Sequence, residues 1–364
     1  MLKEIEIKNL KCFKEIKLEN LKRVNLVFGE NNVGKTVLLE AIFLLLSNDS
    51  PKNVLTLLRG TPISLPIQPE IWSTLFYEFH TSQQIKISGI IEQFELELEI
   101  KTNPPYIGTS MHINESHFIV PENSLFLHWK YNNKDLKTWI THNERFLNAG
   151  QTSFTIPPPN FPSFSPVEPF IVIPFGELKY PIKKVFFHTS IGRMDVLRIS
   201  QIFGEIVGKG FKKDILRLLS GLDNSIEDIE LMSFGGGIIV GIKIGTKFYP
   251  INQLGEGFYR MFGLLCILVQ RKNGIVLIDE IENGIYHANQ GSLWKHILEF
   301  SEKLNIQLFI TTHSWEFIVN AIENTEDLGN IQGIRLEKTD KQIMPVIIDG
   351  EELKEMVDQD YEVR

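Results

Sequence analysis

The chain has 364 residues, 43% of them apolar, and a formal net charge of −8 at pH 7. A chain of this length exceeds the size at which one hydrophobic core usually stops growing, so we expect two lobes, or one lobe with an insertion. The negative charge excludes electrostatic capture of nucleic acid by the whole surface, but it leaves room for a local basic face.

Two further features bear on location and cysteine chemistry. The sequence has no run of about 18 apolar residues and begins with a strand-like alternation, so we expect a cytoplasmic protein without membrane contact. Cys12 and Cys266 are its only cysteines. They lack the spacing of a metal site and stand far apart, so we expect two small core residues and neither a disulfide nor a zinc site.

The N-terminal part, residues 1–101, opens with strand patterns. Residues 2–18 predict two short strands around a turn at 11–14, and residues 24–28 predict an apolar strand followed by a helix over 35–46. Residues 85–101 alternate apolar and polar side chains, which favours antiparallel strands with one solvated face.

The segment between the third strand and the first helix carries a phosphate-binding pattern. It reads GENNVGKT and fits G-x-x-x-x-G-K-[ST]. Glycines allow successive N–H groups to face phosphate oxygens, and the following helix contributes its positive end. Lys35 is expected to reach the β and γ phosphates, and the Thr36 hydroxyl to ligate Mg²⁺. The predicted nucleotide-binding residues are Gly29, Asn31, Asn32, Val33, Gly34, Lys35 and Thr36.

Residues 102–184 differ in character, with many aromatic residues and the proline-rich stretch 157–169. Repeated prolines exclude helix and central strand there, so we interpret 102–184 as a variable insertion. Two interpretations stay open, a surface excursion without activity and a dedicated recognition module.

Residues 185–250 predict helices followed by a hairpin. Apolar residues recur at helical spacing and are expected to face the core, namely Ile199, Ile202, Phe203, Ile206, Val207, Ile215, Leu216, Leu218 and Leu219. Strands are predicted over 238–244 and 247–249, joined by a tight turn at Gly245 and Thr246.

The C-terminal part, residues 251–364, contains a second decisive pattern, GIVLIDEIENG at 274–284. Four consecutive apolar residues predict a strand buried on both faces, as in the middle of a parallel sheet. Ligands collect at the carboxyl edge of such sheets. Asp279 is therefore expected to hold Mg²⁺ through water, and Glu280 to act as general base towards an attacking water.

Two more patterns flank this strand. Gly255, Glu256 and Gly257 precede a helix predicted over 258–271, which makes a second glycine-rich helix start and a candidate phosphate contact. The strand FITTH ends in His313, whose imidazole could donate to a γ-phosphate or to the lytic water.

The order of these motifs resembles the heads of ABC-type ATPases. GENNVGKT, QLGEG, VLIDE and TTHS are similar to their Walker A, signature, Walker B and switch-histidine elements. More narrowly, IEIKNLKCFKEI, LGEGFYRMFGLL and DEIENGIYH resemble the ATPase domain of OLD-family (overcoming-lysogenization-defect) proteins and their stand-alone bacterial relatives, over about residues 1–46 and 186–320.

The resemblance implies one α/β head over residues 1–364, a P-loop NTPase with a mixed or parallel central sheet flanked by helices, plus an antiparallel β lobe. It implies ATP and Mg²⁺ as ligands. It also implies a homodimer or higher homo-oligomer in which Gly255, Glu256 and Gly257 contact the partner's nucleotide. Leu254 stands where the transporter signature has a serine, so that contact would come from backbone N–H groups.

Four residues are weaker candidates. Gln83 and Gln84 could supply the family's glutamine loop, although a solvent-facing turn explains them equally well. Arg193 and Arg260 could contact phosphate or an interface, or could form ordinary surface salt bridges.

OLD-type nucleases continue into a metal-dependent nuclease domain, whereas this sequence ends soon after His313. Its acidic tail, with Asp349, Glu351 and Glu352, is expected to form a solvated helix N-terminus and not a metal cluster. We therefore expect an ATPase without intrinsic nuclease activity that acts with a separately encoded effector, for instance in anti-phage defence. The alternatives are a RecF-like DNA-repair clamp, for which DNA is the partner, and a non-hydrolysing nucleotide sensor.

Overall fold

A computed structural model of the protein describes residues 1–48, 51–58, 62–64, 70–102, 110–113, 116–119, 124–132, 134–142, 153–155, 170–175, 185–189, 195–340 and 342–359. The chain divides into two compact units. The first unit contains Met1–Leu21, Asn32–Ile182 and Leu336–Pro345. The second unit contains Lys22–Asn31, Lys183–Arg335 and Val346–Arg364.

The strands, in chain order, are β1 (Leu2–Leu10), β2 (Phe13–Leu18), β3 (Val24–Gly29), β4 (Pro62–Ser64), β5 (Ile85–Ile91), β6 (Phe94–Lys101), β7 (Ser110–Ile113), β8 (Ser116–Ile119), β9 (Leu125–Tyr131), β10 (Lys134–His142), β11 (Ser153–Thr155), β12 (Phe170–Phe175), β13 (Val185–His188), β14 (Ile226–Phe234), β15 (Gly237–Ile244), β16 (Lys247–Pro250), β17 (Ile275–Ile278), β18 (Gln307–Thr311), β19 (Ile331–Lys338) and β20 (Ile343–Asp349). The α-helices are α1 (Lys35–Leu46), α2 (Glu70–Ser73), α3 (Val196–Gly208), α4 (Lys212–Leu222), α5 (Glu256–Gln270), α6 (His287–Lys303), α7 (Trp315–Glu323) and α8 (Gly350–Asp358). Short 3-10 turns cover Pro51–Leu58, Tyr77–Phe79, Ile251–Gln253 and Leu328–Asn330.

The first unit is built on a seven-stranded antiparallel sheet with the order β12-β10-β9-β6-β5-β1-β2. Along β5, buried residues alternate with partly exposed ones, as expected for a sheet with one solvated face. Helix α1 packs against this sheet, and the buried Trp129 Nε1 of β9 donates to the Leu44 carbonyl across 3.2 Å. The strands and the helix predicted within residues 1–101 are confirmed.

Part of the segment 102–184 continues this sheet. β9 pairs with β6 and β10, and β10 pairs with β12, so three of its strands extend the antiparallel lobe. Burial of Leu125, Leu127 and Trp129 explains why β9 stays in the sheet, since each side chain is 0% exposed. The proline-rich stretch 157–169 lies outside the described residues.

The second unit contains β13, β17, β18 and β3, which belong to a six-stranded sheet with the order β13-β17-β18-β3-β19-β20. β13, β17, β18 and β3 run parallel. All four residues of β17 are buried, and the strand lies between β13 and β18, as its uniform apolar sequence predicts. Because these strands are parallel, the carboxyl ends of β3, β17 and β18 meet at one edge of the sheet.

The helices and strands predicted within residues 185–364 form, with two differences. The hairpin β15–β16 and the acidic helix α8 form where predicted. Helix α5 begins at Glu256, two residues before the predicted start, because Gly255 adopts a φ of 96° and serves as its N-cap.

Val207 was expected to face the core but is 40% exposed. Val207 lies in the last turn of α3. The space beside the neighbouring Gly208 is open, since a Cβ atom at Gly208 would meet no atom within 4 Å.

No helix in the part of the chain that the structure describes combines the length and the apolar character needed to cross a bilayer.

Candidate active site

The phosphate-loop pattern adopts a backbone that ordinary side chains disfavour. Gly29, Asn32 and Gly34 have φ values of 132°, 62° and 88°. Positive φ at such spacing curls the chain and turns successive N–H groups to one side. Gly34 is the N-cap of α1 and provides no side-chain cap, and the helix starts with the Leu38 N–H donating to the Gly34 carbonyl across 2.9 Å. The loop therefore ends in a helix N-terminus suited to an anion.

The turn between β1 and β2 packs directly against the end of this loop. A Cβ atom at Gly34 would lie 2.5 Å from Cys12 Sγ and 2.7 Å from Phe13 Cζ, so only glycine fits there. Cys12 is only half-buried in this turn, so the expectation of a core residue is wrong for Cys12. It is correct for Cys266, and burial raises the pKa of the Cys266 thiol.

Two of the predicted nucleotide-binding residues begin the first helix. Lys35 opens α1 and is only 4% exposed, and Thr36 follows it. Both belong to the first unit, together with Asn32 and Val33.

At the carboxyl edge of the parallel sheet, one hydroxyl orients the acidic pair. Thr311, the last residue of β18, donates its hydroxyl proton to Asp279 Oδ1 across 2.7 Å. Thr311 Oγ1 also accepts the N–H of Glu280 at 2.8 Å. Asp279 is 5% exposed, so this bond holds a largely buried carboxylate in place.

Glu280 and His313, two of the predicted site residues, lie close together in the second unit. Glu280 Oε1 lies 3.8 Å from His313 Nε2, and both side chains are partly exposed. Glu280 has a φ of 50°, a left-handed conformation that costs a non-glycine residue roughly 1–3 kcal/mol. Such strain persists where surrounding bonds over-determine it, and it often marks functional positions.

The turn after Glu280 supplies these surrounding bonds. The Asn283 side-chain amide donates to Glu280 Oε2, and the Asn283 N–H donates to the Glu280 carbonyl at 3.0 Å. Glu282 Oε1 accepts the His313 N–H at 2.7 Å. Sequence reasoning missed Thr311, Glu282 and Asn283. The roles of Thr311 and Glu282 depend on contacts between residues that follow or end different strands, and the role of Asn283 depends on the geometry of the turn after Glu280.

The two glycines at the start of α5 have different surroundings. Gly255 has φ 96° and ψ 154°, and a Cβ atom there would meet no atom within 4 Å. A Cβ at Gly257 would lie 2.4 Å from the Gly284 carbonyl oxygen. Glu256, between them, is exposed. Gly255 is therefore accessible to another molecule, whereas Gly257 is needed for close packing against the turn after Glu280.

Arg260 has a role that neither expectation anticipated. Its Nη1 donates to the Asn283 carbonyl at 3.0 Å, and its Nε lies 3.4 Å from Glu256 Oε1, one helical turn earlier. It thus joins α5 to the turn after Glu280, in addition to forming an ordinary salt bridge.

The other weak candidates receive little structural support. Gln83 and Gln84 lie in the turn before β5, where their backbone carbonyls accept from Asn9 Nδ2 at 2.8 and 3.5 Å. Gln83 is exposed, which agrees with the interpretation as a turn residue. Arg193 lies outside the described residues.

His188 is a further titratable residue at this edge that the sequence did not single out. It ends β13, and its carbonyl accepts the Asp279 N–H at 2.9 Å. Burial, assisted by the nearby Arg260 charge, lowers the pKa of His188 to about 4. Its buried Nδ1 has no hydrogen-bond partner among the described residues. The imidazole is therefore neutral at physiological pH.

Among solved structures, the chain is similar to the Smc head domain with an extended coiled coil, bound to the C-terminal domain of ScpA, derived from Pyrococcus furiosus. The sequences are 14% identical, the match covers 99% of each chain, and the TM-score is 0.51. This likeness concerns the fold alone, an α/β P-loop ATPase fold with mixed sheets and helices.

Among characterised sequences, the chain is 24% identical over 373 aligned positions to an ATP/GTP phosphatase of Helicobacter pylori, with 97% of both chains covered. It is 30% identical over 118 residues to the DNA replication and repair protein RecF of Lactococcus lactis, which covers 32% of this chain and 28% of that protein. The family described as AAA ATPase domain matches residues 1–157 and 195–318. With its phosphate loop and its acidic strand inside the matched residues, the chain belongs to this family of P-loop ATPases.

Proposed function

We propose that the protein is a Mg²⁺-dependent enzyme that hydrolyses ATP to ADP and phosphate, with Glu280 as general base. The observation that carries this proposal is the hydrogen-bonded group at the carboxyl edge of the parallel sheet. There Thr311 orients Asp279 and Glu280, and Glu280 faces His313 at 3.8 Å.

The residues present fit the ligands that this reaction needs. The positive φ values of the phosphate loop and the uncapped start of α1 suit a polyphosphate. Asp279 is a mostly buried carboxylate with one oxygen bonded to Thr311, and hard oxygen ligands of this kind suit Mg²⁺.

Each residue would then have a defined task. Lys35 and the loop N–H groups would bind the phosphates, while Thr36 and Asp279 would hold Mg²⁺, which supplies positive charge to the phosphate oxygens. Glu280 would accept a proton from water as the water oxygen attacks the γ-phosphorus. The bond from that phosphorus to the bridging oxygen breaks, and ADP leaves with the electron pair. His313 would donate a hydrogen bond to the γ-phosphate.

The test is nucleotide binding and turnover by the full chain, with ATP and GTP compared because a relative carries the name ATP/GTP phosphatase. Glu280→Gln should bind nucleotide normally but turn it over about 100-fold more slowly or worse, the usual scale for removal of a general base. Lys35→Ala should lose binding. Undiminished turnover in Glu280→Gln would refute the assignment, and a chain that binds without turnover would support a nucleotide sensor.

We also propose that two copies associate when nucleotide is bound, with Gly255, Glu256 and Gly257 of one copy facing the nucleotide of the other. The open Gly255 and the exposed Glu256 support this arrangement, as does the resemblance of QLGEG to the ABC signature. Backbone N–H groups at the start of α5 would make the contact, because Leu254 has no hydroxyl.

For the cellular role we propose control of a separate effector, such as a nuclease, in anti-phage defence. Support comes from the resemblance of DEIENGIYH and LGEGFYRMFGLL to OLD-family ATPases. Cells carrying the gene with its neighbouring genes should resist phage, and the Glu280→Gln form should lose this protection. Equal phage yield with and without the wild-type genes would reject the role.

A second candidate is a RecF-like DNA-repair ATPase, which the partial match to the Lactococcus lactis protein favours. It predicts DNA binding that weakens steeply with salt, because phosphate contacts release counterions. The net charge of −8 makes such binding unfavourable except at a local basic face of the assembled protein. Salt-dependent retention of DNA by the nucleotide-bound dimer would favour this candidate over the effector model.

A further inference from the structure

The turn formed by residues 280–284 holds both members of the candidate catalytic pair. On one side, the Asn283 amide donates to Glu280 Oε2. On the other, Glu282 Oε1 accepts the His313 N–H at 2.7 Å. Both bonds come from side chains of the same short turn, so the turn fixes the relative positions of Glu280 and His313.

The bond from Asn283 selects one orientation of the Glu280 carboxylate. An amide can donate to a carboxylate oxygen, and a bond with a charged acceptor is stronger than a neutral one. Because Asn283 occupies Oε2, Oε1 is the atom that lies towards His313, at 3.8 Å. A carboxylate restrained in this way can meet an attacking water without first losing rotamer freedom.

Asn283 is itself held by the helix that begins at the glycine-rich segment. Arg260 Nη1 donates to the Asn283 carbonyl at 3.0 Å. The Gly284 carbonyl oxygen would lie 2.4 Å from a Cβ atom at Gly257, so turn and helix approach as closely as backbone allows. The first turn of α5 therefore supports the turn that holds Glu280.

We propose that Asn283 is a positioning residue for Glu280, and that Arg260 anchors Asn283 to α5. The proposal rests on the role of Glu280 in hydrolysis proposed above. Asn283 touches neither nucleotide nor water in this scheme. It acts through the carboxylate, so its loss should slow turnover and leave nucleotide affinity unchanged.

The test compares Asn283→Asp with a matched control elsewhere in the same unit. Asn283→Asp keeps the shape of the side chain and the backbone carbonyl that accepts from Arg260. It replaces the amide that donates to Glu280 with a carboxylate that repels Glu280. Asn330 makes the same kind of bond, an amide donating to a carboxylate three residues earlier, at Asp327 Oδ2 and 2.6 Å. Asn330→Asp should therefore leave turnover unchanged, while Asn283→Asp should lower kcat about 10-fold or more at unchanged nucleotide affinity.

A second comparison separates positioning from a structural role. In a Glu280→Gln background, Asn283→Ala should cause no further loss of residual turnover, because the carboxylate on which it acts is gone. A structural role would lower turnover in both backgrounds. Arg260→Lys, which keeps the charge but removes the planar guanidinium, should reduce kcat by less than Asn283→Asp does.

The outcomes distinguish this proposal from the proposed function. Normal turnover in Asn283→Asp, or an equal loss in Asn330→Asp, would overturn the positioning role while leaving Glu280 as the base. If Glu280→Gln itself kept full turnover, both proposals would fall. Thermal unfolding midpoints within a few degrees of the wild type, read by circular dichroism, show that the variants fold.

Discussion

Thr311 and Asp279 join two neighbouring parallel strands through a side-chain hydrogen bond of 2.7 Å between Thr311 Oγ1 and Asp279 Oδ1. The Thr311 oxygen also accepts the Glu280 N–H, so one hydroxyl connects the ends of β17 and β18. A single uncharged side chain thus holds the Asp279 carboxylate and the Glu280 backbone at the end of β18.

Replacement of Thr311 by Val should damage both stability and turnover. Valine keeps the shape but removes the acceptor of the Glu280 N–H and one hydrogen-bond donor to Asp279, which costs roughly 1–3 kcal/mol in the free energy of unfolding. Thr311→Ser keeps the hydroxyl and should retain turnover. Its free energy of unfolding should fall by about 1 kcal/mol, because a buried methyl group is removed. Urea unfolding and steady-state turnover measure the two effects. Full turnover in Thr311→Val would show that the bond does not orient the acids.

Gly34→Ala should abolish nucleotide binding. The added Cβ would lie 2.5 Å from Cys12 Sγ at a φ of 88°, so the loop must change its path. Gly210→Ala is the matched control, because Gly210 has a φ of 82° but no atom within 4 Å of the added Cβ. Binding of a fluorescent ATP analogue by both variants decides the point. Equal affinity in the two would mean that the loop tolerates the displacement.

Much of the central architecture follows from local patterns. The uniform apolar run of β17 predicts a strand buried on both faces. The strand and glycine loop before Lys35, and the helix that begins at Lys35, form as the pattern indicates. These elements could be predicted because their burial requires a definite periodicity over adjacent residues.

Other features depend on contacts between distant residues. β9 joins the antiparallel sheet although aromatic and proline-rich surroundings obscure its alternation. The bond from Asn283 to Glu280 and the anchor from Arg260 require the turn geometry, which single-residue preferences do not encode. Gly257 illustrates the same limit, because its pattern does not reveal that it packs closely against the Gly284 carbonyl.

The open space at Gly255 allows a test of nucleotide-dependent assembly. Glu280→Gln should trap ATP and form dimers, and adding Gly255→Trp should prevent them by filling the space proposed for the partner's γ-phosphate. Gly210→Trp carries a similar positive-φ strain at an open position in the turn after α3, so dimers should persist in that control. Light scattering with and without ATP gives the molecular masses. Dimers that survive Gly255→Trp would exclude the start of α5 from the interface.

The chain alone should cleave no nucleic acid. Metal-dependent nucleases need several carboxylates that converge on one or two ions, and the described residues include no group of three or more His, Cys, Asp or Glu side chains suited to hold a metal. Asp349 and Glu352 are engaged in a capping box at the start of α8. Incubation with plasmid, linear DNA and RNA in Mg²⁺ or Mn²⁺ tests this. Cleavage that disappears in an Asp349, Glu351 and Glu352 triple alanine variant would contradict it.

Glu97 should make the stability of the protein depend on acid pH. Burial alone would raise the pKa of Glu97, but hydrogen bonds from Lys130 and Lys86 outweigh it and hold the pKa at about 2. Lys130 Nζ lies 2.7 Å from Glu97 Oε1, directly across from it in the sheet of the first unit. An unfolded glutamate takes up its proton near its ordinary pKa of 4.5, well before the folded one does.

The stabilisation by Glu97 is therefore complete above pH 4.5 and is lost as the pH falls from 4.5 towards 2. Because the site is partly exposed, we expect a contribution of roughly 1 kcal/mol at neutral pH. Urea unfolding of wild type and Glu97→Gln at pH 7 and at about pH 3 measures it, and the difference between the two proteins should shrink at the lower pH. A difference that stays constant across this range would mean that the ion pairs with Lys130 and Lys86 do not stabilise the folded sheet.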